Sequence, residues 1–185
     1  DASGMKLSSV NINKSRALDN LNLNNNELTE IDLSNNFSFN SIQLDNNKLT
    51  TLSIKGLTNM KMLSCDNNQL ESIVFEASAP ILSDISCSGN KLKDLSFLSR
   101  ASSVEVLDFS HNEVSDYMFT TMYNIRDLNM SYNKFKSVNL AYNTKLEKLN
   151  VEGNYLTYST LPQTTAQEFI YGNQSPVTIA EKSFM

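Results

Sequence analysis

One spacing limits what this chain can fold into. Seven segments read apolar-x-apolar-x-x-Asn-x-apolar: Leu21, Leu23, Asn26, Leu28; Ile42, Leu44, Asn47, Leu49; Leu63, Cys65, Asn68, Leu70; Ile85, Cys87, Asn90, Leu92; Leu107, Phe109, Asn112, Val114; Leu128, Met130, Asn133, Phe135; and Leu149, Val151, Asn154, Leu156. Their asparagines follow one another at steps of 21, 21, 22, 22, 21 and 21 residues. Self-similarity at such a period is the signature of a stacked array. A second apolar stripe rides in phase, as in Leu28, Ile31, Leu33 and Leu49, Leu52, Ile54. A third apolar position precedes each motif by three residues: Leu18, Phe39, Met60, Leu82, Val104, Ile125 and Leu146.

The period-two apolar pair marks a short strand with alternate residues facing in and out. No single coil is stable. Each inward side chain gains about 1.5–3 kcal/mol when fully buried, whereas ordering each backbone residue costs about 1–2 kcal/mol. Burial is complete only when neighbouring coils cover both faces, so the coils must stack and their strands line up in a parallel sheet. The asparagine column follows from the same geometry. Where the chain leaves the strand, inward N–H and C=O groups lose their ladder partners, and a carboxamide offers both donors and an acceptor.

Composition narrows the function classes. The 15 Lys and Arg against 20 Asp and Glu give a net charge of −5, which argues against nucleic-acid or anionic-membrane binding. One His and two Cys exclude a His-rich metal site and a disulfide scaffold. No run approaches the ~20 apolar residues of a membrane span. The array opens halfway through a unit at Asp1, so the chain reads as a processed or excised piece of something longer.

These motifs resemble the leucine-rich repeat, in the short, helix-poor version of about 21 residues common in bacterial surface proteins. The resemblance covers residues 7 to about 161. It implies an α/β-type repeat solenoid: a horseshoe or right-handed superhelix with a parallel β-sheet on its concave face and few or no helices. One domain spans residues 1–185, with a half repeat at 4–17, seven repeats over about 18–161 and a degenerate closing segment at 162–185. In the half repeat, Leu7, Val10 and Ile12 match the second stripe, and the first half is expected to be absent. The run from Leu156 to Ile179 resembles the end of such bacterial arrays, with Phe169 and Tyr171 on a last strand and Gln174 where Asn is expected.

The resemblance also implies that partners bind on the outward face of the sheet. Its residues stand in three columns: Asn20, Ser41, Met62, Asp84, Val106, Asp127, Lys148, Glu168; then Asn22, Gln43, Ser64, Ser86, Asp108, Asn129, Asn150, Ile170; then Asn24, Asp45, Asp66, Ser88, Ser110, Ser131, Glu152, Gly172. Seven of these 24 are acidic and one is basic, so the face suits a basic or hydroxyl-rich partner. All seven Tyr lie from Tyr117 onward, and Tyr buries much area at little rotamer cost. Tyr132 stands just before a ladder Asn, one coil beyond His111 in the same column. The candidate partner-binding residues are Asp84, Asp108, His111, Asp127, Asn129, Tyr132, Asn150 and Glu152.

Three other chemistries do not fit these residues. Asp108, Ser110 and His111 do not make a triad, because neighbours on one strand diverge and no oxyanion hole is indicated. Asp45 and Asp66 share a column, but calcium needs six or more oxygens and a tight loop, so solvent exposure with modest repulsion is expected. Cys65 and Cys87 occupy one inward position in consecutive coils, where parallel side chains do not reach disulfide torsion, so two buried thiols are expected. The expectation is a non-enzymatic, extracellular recognition or adhesion module of a bacterial surface or secreted protein. It binds a protein or glycoprotein on the concave face, without cofactor, metal, nucleic acid or membrane span, as a monomer. The alternatives are a structural spacer, or a substrate-positioning module for an enzyme domain elsewhere.

Overall fold

The computed structural model describes residues 1–13, 17–75 and 81–176. Each coil contributes a three-residue strand to one eight-stranded parallel sheet: β1 (Asn20–Asn22), β2 (Ser41–Gln43), β4 (Met62–Ser64), β6 (Asp84–Ser86), β7 (Val106–Asp108), β8 (Asp127–Asn129), β9 (Lys148–Asn150) and β10 (Glu168–Ile170). Two further strands, β3 (Thr51–Ser53) and β5 (Ser72–Val74), pair in parallel on the second stripe. Register is column on column throughout, as in Leu21 with Ile42 and Leu107 with Leu128. The described residues hold no α-helix, only 3-10 turns at Ser96–Arg100 and Phe119–Thr121.

The core is one continuous column. Both inward strand positions are buried in every one of the seven motifs, and so is the third position from Phe39 through Leu146. Three phenylalanines, Phe109, Phe119 and Phe135, fill it in the later coils, with Phe109 and Phe135 meeting at 6.2 Å between ring centres. Cys65 and Cys87 are both free and buried, and burial pushes both thiols well up from the ordinary value.

The asparagine ladder has the geometry its residue type requires. Asn90 Nδ2 donates to Cys65 O (3.0 Å) on the preceding coil and to Cys87 O (3.0 Å) on its own, while Oδ1 accepts from Leu70 N (2.9 Å). Asn26, Asn47, Asn68, Asn112, Asn133 and Asn154 repeat the pattern, and all are buried. Gln174 makes the same set one coil on, donating to Val151 O (2.9 Å) and Tyr171 O (3.0 Å) and accepting from Leu156 N (3.1 Å).

A second polar element escaped the sequence reading. Asn36 and Asn143 are buried in turns on the opposite side, where Asn143 Nδ2 donates to Phe119 O (3.1 Å) and Met122 O (2.9 Å). In the intervening coils Leu57, Ala101 and Met122 occupy buried turn positions on that side, so no repeat signal marks it.

The N-terminal segment lies against the first coil. Ala2 N and Gly4 N donate to Asn22 O and Asn24 O (both 2.9 Å), continuing the ladder beside β1. Residues 14–16 of the expected half repeat, and residues 177–185 of the expected closing segment, Ile179 included, lie outside the described residues.

Candidate partner-binding face

Each coil must satisfy the backbone N–H of the third-column residue, where the strand ends. A carboxylate or carboxamide two residues earlier does so as an Asx turn. Asp108 Oδ1 accepts from Ser110 N (2.8 Å), Asn129 Oδ1 from Ser131 N (3.2 Å) and Asn150 Oδ1 from Glu152 N (3.0 Å). In the middle coils that position holds Gln43, Ser64 or Ser86, and the work passes to the preceding coil. Asp45 N donates to Asn24 Oδ1 (2.7 Å), Asp66 N to Asp45 Oδ1 (2.8 Å) and Ser88 N to Asp66 Oδ1 (2.7 Å).

This corrects the expectation for the stacked acids. Asp45 and Asp66 are part-buried members of a relay, also receiving the hydroxyls of Ser64 (2.7 Å) and Ser86 (2.8 Å), rather than solvent-exposed carboxylates; the modest repulsion between them remains. Burial, before any other cause, pushes the Asp66 carboxyl up from its ordinary value; the Ser86 and Ser88 hydrogen bonds pull it back.

The residue before each ladder Asn adopts the left-handed conformation. Asn25, Asn46, Asn67, Gly89, His111, Tyr132 and Gly153 have φ of 57°, 56°, 52°, 65°, 53°, 53° and 66°. Asn and Gly accept this region readily; His and Tyr hold it at a cost. The two rings stack, with centres 4.4 Å apart and planes 10° apart, and Tyr132 remains 43% exposed. The Tyr132 ring extends over Gly153, where an added Cβ would lie 2.5 Å from Tyr132 Cδ1.

A shallow depression of about 330 Å³ lies across strands β7 to β10. It is lined by Val106, Asp108, Asp127, Asn129, Lys148, Asn150, Glu168 and Ile170 over Leu107 and Leu149. Four expected residues therefore meet there: Asp108, Asp127, Asn129 and Asn150. The others do not. Asp84 is one strand outside the rim and holds the Ser83 hydroxyl; Glu152 is held by Asn173; His111 and Tyr132 stand on the turn beyond the strand ends.

The sequence reading passed over four members of the depression. Val106 and Ile170 are apolar yet 39% and 41% exposed on a face whose other columns are mostly polar, and that mismatch was the available signal. Lys148 and Glu168 lie across from each other at 3.9 Å between Nζ and Oε2.

Most of the polar groups are already engaged. Asp108 takes the Ser110 N–H and hydroxyl on Oδ1 and the Asn129 amide on Oδ2 (2.8 Å). Asp127 makes no hydrogen bond among the described residues. Burial pushes its carboxyl up from the ordinary value, Lys148 opposes this, and Glu168 and Asp108 add to it. Asn150 Nδ2 likewise has no partner among the described residues, its oxygen being the turn acceptor.

No triad is assembled. Ser110 is 4% exposed and donates its hydroxyl straight to Asp108 (2.7 Å), while the His111 ring lies on Tyr132.

A parallel sheet built from 21- and 22-residue coils, sealed by an asparagine ladder and almost free of helix, is the leucine-rich-repeat solenoid. Solved structures of that fold superpose on it. An internalin, InlF, from Listeria monocytogenes matches with a TM-score of 0.74 at 19% identity, over 91% of this chain and 52% of its own. The leucine-rich repeat domain of APL1 matches with a TM-score of 0.76 at 22% identity, over 91% and 46%. The functional domain of InlJ from Listeria monocytogenes, described as including a cysteine ladder, matches with a TM-score of 0.66 at 24% identity, over 84% and 39%. The chain thus spans about half or less of the length of these structures. No protein-family model and no curated protein matches its sequence. No helix among the described residues is long and apolar enough to cross a membrane.

Proposed function

We propose that this chain is a non-enzymatic protein-recognition module that binds its partner on the outward face of the sheet, over strands β7 to β10. One observation carries the reading: two half-exposed apolar side chains, Val106 and Ile170, flank a depression in which the Asp127 carboxylate and the Asn150 Nδ2 make no hydrogen bond among the described residues. Apolar groups bordering a few unsatisfied polar ones are what a complementary surface needs. In the early coils Asn22, Asn24, Asp45 and Asp66 are spent on turns, their own or the next coil's. A solved complex of LRIM1 with APL1C, in which this chain matches the fold with a TM-score of 0.71 at 22% identity, supports an interaction role. Tyr132, stacked and exposed at the end of the face, extends the surface as an aromatic contact. The extracellular setting on a bacterial surface or secreted protein, with a protein or glycoprotein ligand and a monomeric chain, rests on the repeat resemblance.

A display library of open-reading-frame fragments panned on the protein tests this. Enriched binders are expected to lose at least ~10-fold in affinity on Val106→Asp or Ile170→Asp, about 1.4 kcal/mol, and to keep it on Met118→Ser on another surface. Binders that ignore both substitutions would overturn this surface, and none above background would leave the array as a spacer.

A further inference from the structure

We propose that the depression between Val106 and Ile170 receives one arginine side chain from the protein partner. This rests on the recognition reading and narrows it to a chemistry. The lining carries Asp108, Asp127 and Glu168 against Lys148 alone, an excess of two negative charges (three minus one). The excess is not spread evenly. Asp108 is saturated by Ser110 and Asn129, and Glu168 faces Lys148 at 3.9 Å. The Asp127 carboxylate has Lys148 in register beside it on β9, opposing its burial, but makes no hydrogen bond among the described residues and is partly withdrawn from water. A neutral hydroxyl-bearing ligand would bury that charge further without compensating it, and an anion would meet three carboxylates.

A cation answers the charge, and a guanidinium answers the shape as well. It offers two parallel N–H groups to one carboxylate, which an ammonium does not. Its three-carbon stem is long enough to lie on an apolar neighbour while the head is bound. Val106 stands directly beside Asp127 on the adjacent strand, in paired register, and so supplies that neighbour. The Asn150 amide, one strand on and one column across, is left to donate to a carbonyl of the partner's backbone. At about 330 Å³ the depression is at the small end of the ~300–1,000 Å³ of ligand pockets, the scale of a side chain and its adjoining backbone.

The test is a two-dimensional NMR titration of the whole chain with the peptide Ac-Gly-Gly-Arg-Gly-Gly-NH2, beside the same peptide carrying citrulline, which keeps the shape and removes the charge. Binding in the millimolar range is expected, about what one side chain supplies, with shifts concentrated on β7, β8 and β9. Citrulline should weaken it at least ~10-fold, as should Asp127→Asn, which keeps the side chain's volume; Glu30→Gln should leave it unchanged. Equal binding of the citrulline peptide, shifts spread over Asp45 and Asp66 that survive Asp127→Asn, or no shift up to ~20 mM would each overturn the arginine. If the arginine peptide fails while displayed fragments still map to Val106 and Ile170, the recognition surface stands without it. If both fail, both readings go.

Discussion

The early and late coils of this solenoid share one backbone and satisfy it with different side chains. In coils two to four the turn N–H is taken by the neighbour, through Asn24, Asp45 and Asp66, and in coils one to three the left-handed column is an amide ladder in which Asn67 donates to Asn46 (3.1 Å) and Asn46 to Asn25 (3.0 Å). From Asp108 onward each coil satisfies its own turn, and the left-handed column carries the stacked rings of His111 and Tyr132. The backbone need is constant, so polarity in a column says nothing by itself about a ligand. A side chain that no turn occupies is the informative one, and Val106, Asp127 and Lys148 bring three such side chains into the depression.

The asparagine ladder is common to both regions and should be blind to the difference. Asn47→Ala and Asn133→Ala each strip a buried N–H and two carbonyls of their partners, and each is expected to cost about 2–3 kcal/mol, read from urea midpoints. A gap of more than ~1 kcal/mol between them would show that the two regions differ in their interior as well as on their surface.

The left-handed column should separate them. Gly153→Ala meets a φ of 66° and the Tyr132 ring together. The conformation alone costs about 1–2 kcal/mol, and displacing a packed ring adds about 1 kcal/mol more. In a Tyr132→Gly background only the conformational part should remain, so the two substitutions should couple by about 1 kcal/mol in a thermal-melt cycle. Smaller still is the pair His111→Asn with Tyr132→Asn, which gives the late coils the early solution. It relieves two strained residues and forfeits a stack worth about 0.5–1.5 kcal/mol, so stability should rise by no more than ~1 kcal/mol. A fall would mean that the stack is there to hold the coils rather than to face a partner.

Much of this was legible in the sequence, for a physical reason. The 21-residue step, the inward columns from Leu21 to Val151 and the ladder from Asn26 to Asn154 recur because every coil faces the same burial and the same orphaned backbone, so repetition exposes them. Gln174 was readable because only a carboxamide meets that need. What does not recur was hidden. Asn36 and Asn143 share their side of the coil with Leu57 and Met122, and the relay through Asp45 and Asp66 looks in sequence like two exposed acids. In the depression, Asp108, Asp127, Asn129 and Asn150 were visible as polar and outward. Val106 and Ile170 stand in the same outward columns, where their apolar character among polar neighbours is the signal and their exposure completes it.

The relay that sets the early coils apart also makes stability depend on pH. Asp66 is held above its ordinary value of 3.8 by burial, so in the folded chain it keeps its proton to higher pH than in the unfolded one. Between those two values the native state binds more protons, and stability falls as pH rises through the window. Asn24 does the same work in the same column with a neutral amide, accepting Asp45 N at 2.7 Å. Asp66→Asn keeps the acceptor for Ser88 N and removes the buried charge. It should therefore abolish this part of the decline, leaving the variant level with the parent at low pH and more stable at neutral pH when urea midpoints are followed upward from about pH 3.5. The opposite sign, a variant that loses ground as pH rises, would mean that the hydrogen bond the carboxylate accepts from the Ser86 hydroxyl, shared between its two oxygens, outweighs its burial. The relay would then be a preferred home for charge rather than a tolerated one, and the contrast between early and late coils would be electrostatic as well as geometric.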